Sequence, residues 1–423
     1  MQRCSLERMK DLIDTFSRYG ATGNGGITRY SLSEEAIQAR DEFVQRMKEI
    51  GAEIETDDLA NVYATLPGTN PDAKRIVMGS HADSVMNGGN YDGILGVMSA
   101  MEVLTTIAEN KISHKHPLTA MIWTNEEGSL YEPCMMSSGI VCYDYLPEAV
   151  RKKYQYEDMM HSKDMVEGKK TFKEAIEQSG YKGSVENRIS PENYACMFET
   201  HIEQGPILEN NHKDVGVVDC VLGMFNYHLK FYGQTTHAGT FPMKQRKDAF
   251  LAASHALVEL HKRIDSLGYE DLVYTTGEVK CHPNLHTCVP DYFEFCIDVR
   301  HESKEIRDEV LKIVKRFEDE IWNGCICHVE KAWERETVYF DKKLFSYVKE
   351  AADELKSNYQ VIHSGAGHDA QFCAYMLPTT MVFVQSKEGL SHCEEEYSTP
   401  EDCTEGASIM LNAVLKADKE MNN

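Results

Sequence analysis

The sequence predicts an α/β fold: a larger α/β domain built on a mixed sheet, with a smaller α+β domain inserted into it. Three observations predict it. Short apolar runs alternate with helical patterns through the first third of the chain. After residue 201 that alternation gives way to a cluster of strand patterns with two helices, and near residue 335 it resumes. Strands separated by helices imply a sheet covered on both faces. At 423 residues the chain is long enough for two domains with their own cores.

In chain order, Ser31-Leu32-Ser33-Glu34 fits a capping box, and Ile37, Phe43, Val44, Met47 and Ile50 recur behind it at helical spacing. Arg75-Ile76-Val77-Met78-Gly79-Ser80 is a short apolar run ending at a turn, as a buried strand does. Asp92 opens a second helix through Val97, Ala100, Met101 and Leu104. Leu118-Thr119-Ala120-Met121-Ile122-Trp123-Thr124 is the next strand and ends at Asn125-Glu126-Glu127. Residues 151–190, rich in Lys, Glu and Gly, read as surface helices and loops rather than a separate domain. Beyond His201, Val215 to Val218 and Tyr227 to Tyr232 read as neighbouring strands. Asp248 to Ile264 is helical, Tyr292 to Arg300 alternates as a strand, and Ser303 to Phe317 is helical. Thr380-Met381-Val382-Phe383-Val384 is a further buried strand, shortly before His392.

Composition excludes several classes. The net charge of -24 argues against nucleic acid or an anionic membrane as partner, because both need a basic surface. No run of about 18 apolar residues marks a membrane span. Met1-Gln2-Arg3-Cys4-Ser5-Leu6-Glu7-Arg8 enters a charged amphipathic segment with no apolar signal core, so a cytoplasmic protein is expected. The thirteen cysteines are scattered without a CxxC pair, which fits reduced, buried thiols better than a disulfide frame.

The candidate chemistry lies at the ends of the apolar runs, where ligands collect in α/β sheets. A single histidine near a strand end is more often structural. The His81-Ala82-Asp83 pattern raises the alternative, since an Asp nearby can take the imidazole's other N–H and fix its tautomer. Asp92 follows Gly88-Gly89-Asn90-Tyr91. It reads either as a helix cap or as a carboxylate shared between two metal ions. Adjacent acids such as Glu126-Glu127 are usually a solvated turn. Directly after Ile122-Trp123 they fit two separate jobs instead, one acid facing a metal and the other moving a proton. With His201 and His392, these residues supply the donors for two divalent ions that share one carboxylate.

These stretches resemble the M20-type metallopeptidases, and within them the branch of N-carbamoyl-L-amino-acid hydrolases, allantoate amidohydrolases and ureidopropionases. The matching strings run Gly79-Ser80-His81-Ala82-Asp83-Ser84-Val85, Gly88-Gly89-Asn90-Tyr91-Asp92-Gly93, Thr124-Asn125-Glu126-Glu127-Gly128-Ser129 and Glu199-Thr200-His201-Ile202-Glu203-Gln204-Gly205-Pro206. They continue with Thr236-His237-Ala238-Gly239-Thr240, Asp298-Val299-Arg300, Ser364-Gly365-Ala366-Gly367-His368-Asp369-Ala370 and Gly389-Leu390-Ser391-His392. The resemblance implies one metal on His81, Asp92 and His201 and another on Asp92, Glu127 and His392. The ions are divalent, Zn first on chemical grounds, with Mn, Co or Ni able to replace it. It implies Glu126 as general base and acid toward a hydroxide nucleophile, Asp83 behind His81, and His237 stabilising the oxyanion. Gln204 and Arg300 would contact a small ureido acid, Arg300 through a bidentate grip on its carboxylate, and Asn284 or His286 would substitute for a family Asn whose place Thr287 takes here.

The resemblance further implies a catalytic domain of residues 1–206 and 329–423 and a lid at 207–328 that carries a homodimer contact. The expected reaction is hydrolysis of the ureido C–N bond of an N-carbamoyl-amino acid or an allantoate-like ureido acid. The alternatives are a dipeptidase or aminoacylase of the same architecture, or a non-catalytic metal-binding relative. His201-Ile202-Glu203-Gln204 argues against the first and Glu126 against the second. The chain departs from the pattern at Leu130-Tyr131, where Arg-Phe is common, at Thr287, where Asn is usual, and at Phe241-Pro242, where Thr-Pro is common. All three departures are expected near the substrate pocket.

Overall fold

Four short apolar strands lie parallel at the centre of the larger sheet: Leu118–Trp123, Arg75–His81, Tyr194–Ile202 and Thr379–Val384, in that spatial order. The computed structural model describes residues 1–421. Antiparallel strands flank the four, Val62–Leu66 on one side and Val215–Val221 on the other, so the sheet of nine described strands is mixed. The central strands are buried almost end to end. Ile76 and Met78 face a core shared with the helices Ile94–Glu109 and Pro400–Glu420, while Val77 between them faces a second core with Trp123, Tyr131 and Phe172. Apolar residues on both pleats are what a doubly covered parallel sheet requires.

The chain divides into two compact units, Met1–Cys220 with the chain from Tyr339 onward, and Val221–Val338. The division falls later at each end than 207 and 328. Val215–Val221 pairs with Thr379–Val384 in the larger sheet, and Cys325–Arg335 pairs with Gly223–Tyr232 in the smaller. For the same reason Val215–Val218 and Tyr227–Tyr232 are not neighbours: the chain changes sheet at Leu222. The smaller unit is an antiparallel sheet centred on Gly223–Tyr232. Helices Ala249–Asp265 and Lys304–Arg316 bury their apolar stripes against its Phe225, Leu229, Phe231, Phe295 and Ile297.

Local signals are corrected in two places. The helix Glu34–Glu49 is capped by Ser33, whose hydroxyl accepts from Ala36 N–H, and not by Ser31. Asp92 does not cap the helix after it. That helix, Ile94–Glu109, starts behind Gly93 at φ 66° with no side-chain cap, which leaves the Asp92 carboxylate for other partners. Residues 151–190 form short helices, and Met159, Met160, Phe172, Ala175 and Ile176 join the second core. All thirteen cysteines are free thiols, and no described helix is long and apolar enough to cross a membrane.

Candidate metal centre

The parallel strands bring their carboxyl ends to one place. His81 ends the first, Glu126 and Glu127 follow the second, His201 lies near the end of the third, and His392 follows the fourth. Donor atoms of His81, Asp92 and His201 lie within 4.8 Å of one another, and so do those of Asp92, Glu127 and His392. Asp92 belongs to both groups. Its Oδ1 is 3.2 Å from His201 Nε2 and 3.7 Å from His81 Nε2, and its Oδ2 is 3.0 Å from His392 Nε2. His392 is half exposed, whereas Asp92, Glu127, His81 and His201 are nearly closed off.

Tautomers follow from the backbone. His81 Nδ1 is 3.0 Å from the Asp83 carbonyl and His201 Nδ1 is 3.0 Å from the Ile202 carbonyl. Each ring therefore spends its Nδ1–H on a carbonyl and turns Nε2, the nitrogen that would bond an ion, toward Asp92. This corrects the expected role of the Asp83 side chain. Its Oδ1 is 3.9 Å from His81, and the carboxylate instead accepts from the N–H groups of Glu126 and Glu127, at 3.3 and 3.1 Å. Asp83 thus holds the turn that aims both glutamates. Glu126 Oε2 lies 3.6 Å from His81 Nε2. Gly93 allows the close approach, since a Cβ there would stand 2.2 Å from the His81 ring.

The charge balance fits divalent cations. Burial pushes the Glu126 carboxyl well up, and Asp369 and Glu127 push it further. Glu127 is raised by burial and then by Asp92 and Asp83, and its Oε1 is buried with no hydrogen-bond partner among the described residues. Burial also works against ionised Asp92, but hydrogen bonds from His201 and His392 outweigh it and hold Asp92 well below the usual range. Three imidazoles, a shared carboxylate and an orphaned carboxylate oxygen form a nitrogen–oxygen donor set of the kind that Zn²⁺ or Mn²⁺ takes.

Residues not singled out from the sequence support this set. Glu396 Oε1 accepts from Tyr91 and Asp92 N–H, both at 3.0 Å, and its Oε2 accepts from Ser391 Oγ at 2.8 Å. Glu199 accepts from Ser80 Oγ and Ala370 N–H, while the His368 ring packs edge-on to His201 at 4.5 Å. Two buried arginines bind the strand ends: Arg29 donates to the Ala82 carbonyl, and Arg40 to the Ala60 carbonyl and Thr124 Oγ1. Burial lowers both guanidinium groups to about 10, and the Asp83 charge works the other way. Of this layer, the family strings contain Ser80, Glu199, His368 and Ser391, but not Arg29, Arg40 or Glu396.

Other expected residues have different surroundings. Gln204 Nε2 donates to Asp92 Oδ2 at 2.9 Å, so its amide rests on the shared carboxylate. Glu203 caps the short helix Ile207–Asn210 through the N–H groups of Ile207 and Leu208. Tyr131 is a core residue against Phe172, and Leu130 packs on the same cluster. The smaller unit carries His237, Asn284 and Arg300. His237 Nδ1 accepts from Gly239 and Thr240 N–H, which puts the ring proton on Nε2. Arg300 Nε donates to Asp298 Oδ1 at 2.8 Å. Asn284 is exposed at φ 57°, and the Thr287 carbonyl accepts from Ala238 N–H beside His237.

Residues 77–416 match the family described as Peptidase family M20/M25/M40. Over 423 residues the chain is 32% identical to an N-carbamoyl-L-amino-acid amidohydrolase of Rhizobium meliloti, covering 98% of this chain and 97% of that one. It is 31% identical to an allantoate amidohydrolase of Bacillus subtilis (strain 168), over 98% of each. The crystal structure of an amidase of the hydantoinase/carbamoylase family from Burkholderia multivorans matches with a TM-score of 0.86 at 35% identity, over 99% of each chain.

Proposed function

The chain belongs to peptidase family M20/M25/M40 and is a hydrolase of linear amide C–N bonds, and we propose that it cleaves the ureido C–N bond of an N-carbamoyl-amino acid or an allantoate-like ureido acid. The observation that carries this reading is the pair of three-donor groups sharing Asp92, with Glu126 beside them. In it, His81, Asp92 and His201 would hold one divalent ion and Asp92, Glu127 and His392 the other. Such ions supply Lewis acidity and lower the pKa of water from 15.7 to roughly 7.

The chain's own residues do the rest. Asp83 fixes the turn through two backbone N–H groups, so Glu126 stands free of the ligand set. Glu126 takes the proton of the attacking water and passes it to the departing nitrogen. His237, with its proton on Nε2, donates to the oxyanion that forms at the ureido carbon. Arg300, oriented by Asp298, grips the substrate carboxylate. The Val221–Val338 unit acts as the lid that supplies both residues, and also as the contact surface of a homodimer.

The test is ammonia and amine release from a panel, after reconstitution separately with Zn²⁺ and Mn²⁺. The panel holds N-carbamoyl-amino acids, N-carbamoyl-β-alanine, allantoate, N-acyl amino acids and dipeptides. Ammonia from a ureido acid alone, abolished by Glu126→Gln with metal content intact, is the expected result. Cleavage confined to acyl or peptide bonds overturns the ureido reading, and full activity of Glu126→Gln overturns the assignment of the base.

A further inference from the structure

Away from that centre, the chain leaves the larger unit at Cys220 and returns to it at Tyr339. Outgoing and returning segments are pinned side by side, because Phe340 N–H donates to the Asp219 carbonyl at 2.9 Å. The strand Tyr359–Ser364 pairs with Val215–Val221 and carries His363 to the same spot. His363 Nδ1 lies 2.7 Å from Asp219 Oδ1 and 3.4 Å from Cys220 Sγ. All three donor atoms fall within 4.8 Å of one another.

A carboxylate oxygen and a sulfur thus stand in front of one ring nitrogen. The 3.4 Å Cys220–His363 spacing falls within the 3.0–3.7 Å that separates Asp92 from three imidazoles at the candidate centre, while the 2.7 Å Asp219–His363 spacing is that of a hydrogen bond. A tetrahedral ion with bonds of about 2.0–2.3 Å sets its N, O and S donors roughly 3.3–3.6 Å apart, so Cys220 and His363 already stand at that spacing and the Asp219 carboxylate gives way by about half an ångström. Cys220 is buried, while the His363 side chain is 42% exposed, so an ion has a path in and solvent can fill a fourth position.

We propose that Asp219, Cys220 and His363 form a further divalent-metal site for a zinc-class ion, with solvent as fourth ligand. The sulfur selects Zn²⁺ or Co²⁺ over Mg²⁺ or Ca²⁺. On binding, the thiol releases its proton to solvent and the thiolate bonds to the ion. The imidazole keeps one proton, moved to Nε2, and gives Nδ1 to the metal. The ion ties the Tyr359–Ser364 strand to the point where the chain crosses between units.

The experiment is a Co²⁺ titration of the full chain, read as sulfur-to-cobalt charge-transfer absorption in the near ultraviolet. The ligands assigned at the other centre are nitrogen and oxygen only, so they give no such band. The band is expected to saturate at one ion per chain, to vanish in Cys220→Ser, and to vanish in His363→Ala, a surface substitution that decides the matter if the serine variant fails to fold. No band at saturating Co²⁺ overturns the proposal. So does a band that survives His363→Ala, which assigns the sulfur elsewhere, such as Cys393 beside His392.

Discussion

Glu396 is the residue whose removal says most about how the centre is held. Its side chain is buried, and its carboxylate ties the Tyr91-Asp92 backbone to Ser391, the residue before His392. One side chain therefore positions the shared ligand and a terminal ligand together. Glu396→Ala strips the acceptor from two backbone N–H groups on the Asp92 loop. An orphaned buried donor costs about 1–3 kcal/mol, so the loop's native position loses roughly 2–6 kcal/mol before water refills part of the space. Loss of an outer partner of a metal ligand typically lowers metal affinity by about 10–100-fold. That range is the expected effect, measured by competition with a chromogenic chelator and paired with hydrolysis at saturating metal.

Glu396→Gln separates positioning from charge. The amide oxygen can accept from both N–H groups, and its NH₂ can meet Ser391 Oγ, so metal retention should stay within a few-fold of the parent. Gly89→Ala should reproduce the alanine defect from the opposite side, because a Cβ at Gly89 would stand 2.1 Å from Glu396 Oε1. Unchanged metal affinity in Glu396→Ala would refute the clamp. Equal loss in the glutamine variant would show that charge, and not hydrogen bonding, holds the loop.

Three further outcomes are expected. Gly93→Ala drives a methyl into the His81 ring and forces a side chain onto φ 66°, so metal loading at the first group should collapse, as elemental analysis after gel filtration would show. His237→Ala should lower kcat on the ureido substrate by about 10²–10³ with metal content unchanged, the usual cost of an oxyanion donor. Asp164 is held at about 2 chiefly by the Glu167 N–H, with Lys170, Lys169 and Gly168 adding to it. A depressed carboxylate stabilises above its ordinary 3.8 and loses that contribution as pH falls toward about 2. Protection of the 164–170 amides, relative to their intrinsic exchange rates, should therefore fall across that window in the parent, and should already be low at neutral pH in Asp164→Asn.

The candidate metal ligands were legible in the sequence because most of them lie where an apolar strand runs out, and a polar residue there has no core reason to exist. The same logic failed one layer back. Glu396 follows His392 inside Cys393-Glu394-Glu395-Glu396, which reads as a solvated acidic turn. Its partners are backbone N–H groups some 300 residues away in sequence, and no periodicity records them. Arg29 and Arg40 were hidden for a related reason, since an arginine in a loop or on an amphipathic helix looks like a surface one. The change of sheet at Leu222 was also illegible, because a single residue separates the two strands and no turn signal marks it.

That hidden layer carries an electrostatic argument. Asp83, Asp92, Glu126, Glu199, Asp369 and Glu396 are all buried near one another's charge. Arg29 and Arg40 are buried too, and both reach Asp83 electrostatically while spending their N–H groups on Ala82, Ala60 and Thr124 instead of on a carboxylate. Direct ion pairs would have neutralised the acids and removed them as ligands. Held one step away, the guanidinium groups ease the burial of negative charge while leaving the carboxylate oxygens open to the proposed cations. The arginines thus help fix how much negative charge the site keeps, and the histidines and Asp92 fix where the proposed cations would take it up.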